Sequence, residues 1–542
     1  MNKLHYLIMA CMVVPSVSLT SINAAPAPDT SKPNIVYIYA DDLGYGELGC
    51  YGQKKIHTPN LDRLATQGMK FTQHYTAAPV CAAARCMILT GQHSGHAYIR
   101  GNYELGGFAD DKEGGQMPLP PHEITIGTML QGQGYKTGGF GKWGLGEVNT
   151  TGHPNLQGFD EFYGYLCQKQ AHNYYPTHLW DNSTSVPLDN TFINVNQKVP
   201  KGTTDPEVFA KFRGNDYSID HISSKALEFI DNNKSRPFFM YVPYTLPHLS
   251  LQVPPAALDE YKGKFPEEPF YGSYYTPTLY PRATYAAMIT YLDTQVGHIL
   301  EELDKNGLTS NTVVMFSSDN GPTFKIGGFD PTFFDSAGGL RGLKTDVYEG
   351  GIREPFIAKW PGHIKAGAVT DVPSVQYDLM ATLADLLDIK NPPKSDGISF
   401  LPTLLGHPDQ QKKHDFFYWE FPEKGGQLAI RIGDWKGVKQ GLRANENAPW
   451  ELYNLATDRN ETKNVAAEHP EILKEMDVIG KREHTCPHIR EWEIIDPKFD
   501  PELVAPRKKA AKPGKGAKRK NLQSAKSSAT SAGVKATEQA AE

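Results

Sequence analysis

A few short segments hold most of the side chains able to do chemistry. Asp41-Asp42 closes the apolar run Pro33 to Ala40, and Asp319-Asn320-Gly321 follows a second run, Thr312 to Phe316. Carboxylate and amide oxygens are hard ligands, the chemistry that suits calcium or magnesium. Either pair alone is as readily a turn cap; two pairs at two strand ends are harder to dismiss. Cys81 precedes Ala82-Ala83-Ala84-Arg85, and an isolated cysteine there reads first as the buried start of a helix. Lys142 in Phe140-Gly141-Lys142-Trp143, Lys344 in Leu340-Arg341-Gly342-Leu343-Lys344, and His248 after Pro247 complete the set. A metal ion beside a nucleophile, ringed by Arg, Lys and His, is what a tetrahedral oxyanion requires.

These groups need a scaffold that brings strand ends together. Pro33 to Ala40, Phe238 to Val242 and Thr312 to Phe316 each read as a buried strand running into a polar loop. Thr58-Pro59 opens a helix with Thr58 as N-cap, Leu61, Leu64 and Ala65 inward and Gly68 at its end. Leu292, Val296, Ile299 and Leu303 recur at helical spacing ahead of the third strand. Strands alternating with helices predict an α/β sandwich with a mostly parallel central sheet, whose ligands collect at one sheet edge. After about residue 390 the pattern changes. Phe416 to Trp419, Ala429 to Ile432 and Trp435 to Val438 predict a small antiparallel sheet, and Pro470 to Ile479 a helix packed with it.

A chain of 542 residues, 39% hydrophobic and 11% aromatic, has too much apolar material for a disordered protein and too much length for one small core. Lys3, the apolar stretch Leu7 to Val14 and the small residues Ala24, Ala25 and Ala27 read as an export signal over 1–27. A lipoprotein junction at Ala10-Cys11 ranks below it, because the apolar run continues past that point. The run is too short to span a bilayer and no later segment qualifies, which predicts a periplasmic or secreted product without a membrane span. The expected organisation is a catalytic domain over 28–390, a C-terminal subdomain over 391–505 and a disordered basic tail over 506–542. The tail carries Arg507, Lys508, Lys509, Lys512, Lys515, Lys518, Arg519 and Lys520; with these eight set aside, the net charge of −6 becomes −14. An acidic body has no general attraction for nucleic acid or other polyanions, so an anionic substrate must be held by local groups. The tail itself reads as a solvated extension rather than a polymer-binding arm. Six scattered cysteines make no disulfide framework.

Taken in order, these segments resemble the formylglycine-dependent sulfatases, the arylsulfatase A-like branch of the alkaline phosphatase superfamily. Cys81-x-Ala83-x-Arg85 followed by Leu89-Thr90-Gly91 is similar to the signal that a formylglycine-generating maturation enzyme reads to oxidise the cysteine. Asp41-Asp42, Gly141-Lys142-Trp143, Pro247-His248, Asp319-Asn320-Gly321 and Glu349-Gly350-Gly351-Ile352-Arg353 are similar as well, and the likeness runs from about Pro33 to Thr457. The resemblance implies an alkaline-phosphatase-like α/β/α fold and a calcium ion held by Asp41, Asp42, Asp319, Asn320 and the modified residue 81. It implies that Arg85 holds the formylglycine hydrate, that Lys142 and Lys344 bind sulfate oxygens, and that His248 protonates the departing alcohol. Asp319 would take a proton from the attacking hydroxyl, and the second hydroxyl of the hydrate would later expel sulfate.

Two departures stand out. Ala83-Ala84 replaces the usual Pro-Ser, an alternative that the maturation signal accepts. Lys142-Trp143-Gly144-Leu145-Gly146 lacks the histidine that many members carry at the position of Gly144. His172, in Gln170-Ala171-His172-Asn173, is the expected replacement or a substrate contact, and a loop histidine without a catalytic role is an equal alternative. The expected substrate is a sulfated carbohydrate of galactose or N-acetylgalactosamine type, met by His96, Arg100, Asn102, Gln168 and His172. Several of these could instead brace the nucleophile segment. A phosphoester or phosphonate monoester hydrolase and a non-catalytic glycan-binding relative are the competing readings of the same fold.

Overall fold

The computed structural model describes residues 32–496, apart from 108, 109 and 111. The expected export signal and basic tail lie outside the described residues. Among the described residues fifteen strands fall into two sheets: β1 (Asn34–Ala40), β2 (Met69–Tyr75), β3 (Lys136–Lys142), β4 (Glu161–Tyr165), β5 (His178–Asp181), β6 (Thr184–Pro187), β7 (Phe238–Pro243), β8 (Thr312–Ser318), β9 (Arg353–Lys359), β10 (Ala368–Thr370), β11 (Ser374–Val375), β12 (Phe417–Phe421), β13 (Gln427–Ile432), β14 (Trp435–Gln440) and β15 (Glu451–Asn454).

The larger sheet runs β10-β2-β9-β8-β1-β7-β3-β4-β5-β6, with β11 beside β2. Its centre, β8-β1-β7-β3-β4, is parallel. Antiparallel pairing enters where β9 lies between β8 and β2, and at β4-β5-β6. In β1 the alternate residues Ile35, Tyr37 and Tyr39 enter one apolar core, while Val36, Ile38 and Ala40 enter another. Both faces of the sheet are therefore covered, which is why β1, β7 and β8 are rich in apolar residues. The helices Pro59–Gln67, Ser218–Asn233 and Pro281–Lys305 supply one layer; Cys81–Thr90 and Asp378–Leu386 contribute to the other. Leu292, Val296, Ile299 and Leu303 form the expected inner stripe.

Register decides where the chemistry collects. Ala40 pairs with Ser318 and Tyr39 with Pro243, so β1, β7 and β8 end at the same edge. Asp41, His248 and Asp319 leave from neighbouring strand ends, where ligands of open α/β sheets bind.

The second sheet, β12-β13-β14-β15, is antiparallel and has one strand more than the sequence pattern predicts, Glu451–Asn454. Phe417, Trp419 and Phe421 join the main core, while Tyr418, Leu428 and Ile430 pack with Met476 and Ile479 of the helix Pro470–Arg482. Trp419 Nε1 donates to Thr76 O at 2.8 Å, and Lys436 sits between Glu349 and Glu461 at 2.9 and 3.0 Å. One local expectation fails. Thr58 precedes its helix but makes no capping bond; its hydroxyl instead accepts from Gly49 N and donates to Asp62 Oδ1.

Candidate active site

Cys81 is the first residue of a helix whose ten residues are all buried. Ala82, Ala83 and Ala84 suit such a helix, since they favour the conformation and need little space. Val80 offers no side-chain cap; Asn102 Oδ1 takes the Ala82 N–H at 3.1 Å instead, satisfying one of the first-turn donors. Gly91 ends the helix at φ 67°, donating to Met87 O.

Around the thiol lie three carboxylates and three cationic side chains, all buried. Cys81 Sγ is 3.4 Å from Asp41 Oδ1 and 3.5 Å from Lys344 Nζ. Arg85 Nη2 reaches Asp41 at 3.2 Å and Asp319 at 2.9 Å, and Arg85 Nη1 donates to Lys142 O. Lys142 Nζ meets Asp41 Oδ2 at 2.6 Å; Lys344 Nζ meets Asp42 Oδ1 at 2.9 Å. Asn320 Nδ2 donates to Asp42 Oδ1 at 2.7 Å, and Asp42 N donates to Asp319 Oδ1 at 3.1 Å. Burial alone would raise Asp41, but Lys142, His248, Arg85 and Lys344 override it and hold the carboxyl well below the usual range. Burial, then the charge of Asp41, pushes Asp319 up to about 7. Burial and Asp41 also push the Cys81 thiol far above its ordinary value. An unmodified Cys81 is therefore a poor thiolate nucleophile.

His248 Nδ1 lies 2.6 Å from Leu249 O, which assigns the proton to Nδ1 and turns the Nε2 lone pair towards Lys344 Nζ at 3.3 Å. Burial above all lowers this imidazole to about 4. His172 stacks on it at 4.3 Å between ring centroids, and burial holds His172 well below its ordinary value.

The donor set fits a hard divalent cation. Ligand atoms of Asp41, Asp42, Cys81 and His248 lie within 4.8 Å of one another. Asn320 Oδ1 is buried without a hydrogen-bond partner, an acceptor left uncommitted beside three carboxylates. With all three carboxylates ionised, three negative and three positive side chains balance, so a divalent ion would leave a net positive site for an anionic ester.

The family model described as Sulfatase matches residues 33–389, and that described as N-sulphoglucosamine sulphohydrolase, C-terminal, matches residues 343–486. The chain belongs to the sulfatase family. It is a sulfuric ester hydrolase. The chain is 31% identical to the N-acetylgalactosamine-6-O-sulfatase of Bacteroides thetaiotaomicron, over 83% of this chain and 92% of that protein. It is also 31% identical to human arylsulfatase A, over 85% and 89%. Among solved structures, Ps i-CgsB superposes with a TM-score of 0.67 at 28% identity, covering 86% of this chain and 94% of the other. The same protein has been seen in complex with k-i-k-neocarrahexaose.

Of the residues expected to contact substrate in this sulfatase, the fold brings only some to the site. His172 is there, stacked on His248. Gln168 is 3% exposed with Oε1 unpaired; a Cβ at Gly144 (φ 74°) would lie 3.2 Å from that oxygen. The side chain beside Gly144 is thus Gln168, with Gln116 behind it at 3.7 Å. Asn102 serves the first turn of the helix that begins at Cys81, as described. Arg100 corrects the expectation. Its Nε, Nη1 and Nη2 bond to Ala97 O, Glu420, Thr485 and Gly95 O, which leaves no donor for a substrate. His96 stacks on His93 and binds Asp396 through Nδ1, so its contacts run to the C-terminal region rather than to Cys81. Tyr275, 5.8 Å from the His172 ring and 6.4 Å from that of His248, belongs to the site and has no sequence signal of its own. Among the described residues Cys50, Cys81, Cys86 and Cys167 form no disulfide, and no helix is long and apolar enough to cross a membrane.

Proposed function

We propose that this sulfatase is an exported, calcium-dependent enzyme that uses formylglycine at position 81 to hydrolyse a sulfate ester on a galactose- or N-acetylgalactosamine-type carbohydrate. The observation that carries the reading is the setting of Cys81, flanked by Asp41 and Lys344 within a buried ring of balanced charge. Hydrated formylglycine would supply two geminal hydroxyls, and a calcium ion held by Asp41, Asp42, Asp319, Asn320 and residue 81 would lower the pKa of the one that attacks sulfur. Arg85 Nε, buried and unpaired, is a free donor for an oxygen on residue 81. Lys142 and Lys344 hold the sulfate oxygens and offset the charge that builds up on them.

The departing alcohol needs a proton. At neutral pH His248 is uncharged in the resting site, with Nε2 as an acceptor. A bound ester anion favours the imidazolium, so substrate binding itself loads the acid. Lys344 Nζ, 3.3 Å away, donates a hydrogen bond to Nε2 and keeps its own proton, so its charge stays available to the sulfate. His172 packs against His248 and limits how that ring can turn.

Support for a carbohydrate substrate comes from the relatives named for N-acetylgalactosamine 6-sulfate and the neighbour holding a neocarrahexaose. Export and the basic tail rest on residues 1–27 and 506–542, and the change of architecture after residue 390 supports a catalytic domain over 28–390 with a subdomain over 391–505. Cys81 and Arg85 are 1% and 0% exposed, so a maturation enzyme would have to act before this segment is buried. The test is sulfate release from galactose and N-acetylgalactosamine sulfates by protein produced with a maturation enzyme, with and without EGTA. Loss of turnover in EGTA, restored by calcium, is expected. Faster hydrolysis of an aryl phosphate than of the matching aryl sulfate would favour the phosphoesterase reading instead.

A further inference from the structure

The chain between Phe270 and Thr278 leaves the scaffold and returns to it. The two residues exchange backbone hydrogen bonds of 2.9 Å, and Ser273 bridges Tyr275 across a tight turn. Tyr274 is the tip of that turn. Its φ is 63°, a conformation that a bulky side chain adopts only when the surroundings impose it, and its side chain is 60% exposed. Tyr275 goes the other way. Its ring lies beside those of His172 and His248.

Two anchors fix the turn against the catalytic loop. Thr276 N donates to Ser250 Oγ at 3.2 Å, and Ser250 N donates to His172 O at 3.1 Å. On the other side stands Gly327, on the segment that follows Asp319-Asn320-Gly321. Its φ is 62°, and a Cβ there would lie 3.0 Å from the Tyr275 ring and 2.8 Å from Leu249 Cδ1. The Tyr275 ring thus rests on a bare stretch of backbone, where a side chain at Gly327 would crowd it.

We infer that the Ser273–Tyr275 turn is a carbohydrate-stacking lip, on which Tyr275 packs against the sugar bearing the sulfate and Tyr274 against the next sugar of an oligosaccharide. A pyranose presents an apolar C–H face and a rim of hydroxyls, and tyrosine matches it with an apolar body and one polar atom. An exposed ring held in a strained backbone, one residue from a ring that lies beside His172 and His248, is otherwise a cost without a return. The assignment rests on the sulfatase reading and adds to it a preference for a ring over a linear alcohol, and for a chain over a single sugar.

The test compares N-acetylgalactosamine 6-sulfate alone with the same unit at the end of a tetrasaccharide, using p-nitrophenyl sulfate as a reference. Tyr274→Ala, at an exposed position, lowers the ratio of kcat/KM for the tetrasaccharide to that for the monosaccharide by about three- to tenfold, the range for one lost aromatic contact. Tyr275→Ala raises KM for the monosaccharide, whereas Tyr275→Phe, which keeps the ring, retains the KM of the unsubstituted enzyme. An unchanged ratio in Tyr274→Ala, or equal losses in Tyr275→Phe and Tyr275→Ala, overturns the lip while leaving the sulfatase reading intact. Failure of the unsubstituted, formylglycine-bearing protein to release sulfate from any of the three substrates removes the activity reading, and the lip with it.

Discussion

Replacing Lys436 with Met destabilises the protein by about 3 kcal/mol, at the lower end of what breaking a buried ion pair costs. Lys436 is wholly buried on β14, with its ammonium 2.9 Å from Glu349 and 3.0 Å from Glu461, both themselves buried. Methionine keeps much of the volume and removes the charge. Glu349 retains Arg353 at 3.1 Å and the Tyr75 hydroxyl at 2.7 Å, so it is only partly stranded. Glu461 loses its cation, but burial already pushes it up to about 7 and it can take a proton, which is why the lower end applies. Glu461→Gln added to Lys436→Met removes the stranded charge and recovers part of the loss. The consequence reaches the chemistry. Glu349 opens the turn whose Gly351 O accepts from Gly321 N and whose Gly350 N donates to Arg341 O, so Asn320 and Lys344 both lean on it. Urea unfolding of the two variants beside the unsubstituted protein is the assay. A cost below about 1 kcal/mol for Lys436→Met, the value of an exposed pair, would refute the argument that this cluster carries buried charge.

Lys344→Ala lowers kcat/KM for a sulfate ester by about 100- to 1000-fold, the cost of one preorganised oxyanion donor; a loss under tenfold in folded protein would deny it that role. His248→Gln lowers the rate on a sugar sulfate by about 100- to 10,000-fold, and much less on an aryl sulfate whose leaving group needs no proton. Equal losses on the two esters would contradict its place as the acid. His484 gives a pH signature away from the site. Burial favours its neutral form, but hydrogen bonds to Glu420 at 2.9 Å and Glu493 at 3.0 Å raise it to about 9. A raised pKa contributes stability that is complete below the ordinary 6.5 and lost as pH rises through about 9. Thermal midpoints should therefore fall over that interval, and His484→Gln should flatten the fall; an unchanged slope would remove the assignment.

The parts of the fold visible in the sequence are those set by local chemistry. β1, β7 and β8 are continuous apolar runs that end in polar residues, so both the strands and the edge holding Asp41, His248 and Asp319 could be read in advance. β2 and β9 were less legible because Lys70, Thr72 and Gln73 interrupt the apolar pattern, and nothing local says that β9 pairs antiparallel between β8 and β2. The ordered motifs marked Cys81, Arg85, Lys142 and Lys344, and the fold brings these side chains together because their segments are tied to strand ends and to the helix that begins at Cys81. Arg100 misled for a physical reason. Its proximity in sequence to the nucleophile helix suggests the pocket, but its partners Glu420 and Thr485 lie 320 and 385 residues further on. Gln168 and Tyr275 reach the site only through the packing of loops, Gln168 against Gly144 and Tyr275 against Gly327, a relation that no spacing encodes.

The central claim is that residue 81 works as formylglycine. Trypsin releases Phe71 to Arg85 as one peptide containing Cys81 as its only cysteine, which makes the claim a single mass measurement. In protein made with a maturation enzyme and active on a sulfate ester, this peptide should be lighter than the cysteine form by about 18 Da, through exchange of the thiol for the aldehyde from which the nucleophile is made. An active preparation in which the peptide keeps the mass of cysteine would contradict the account.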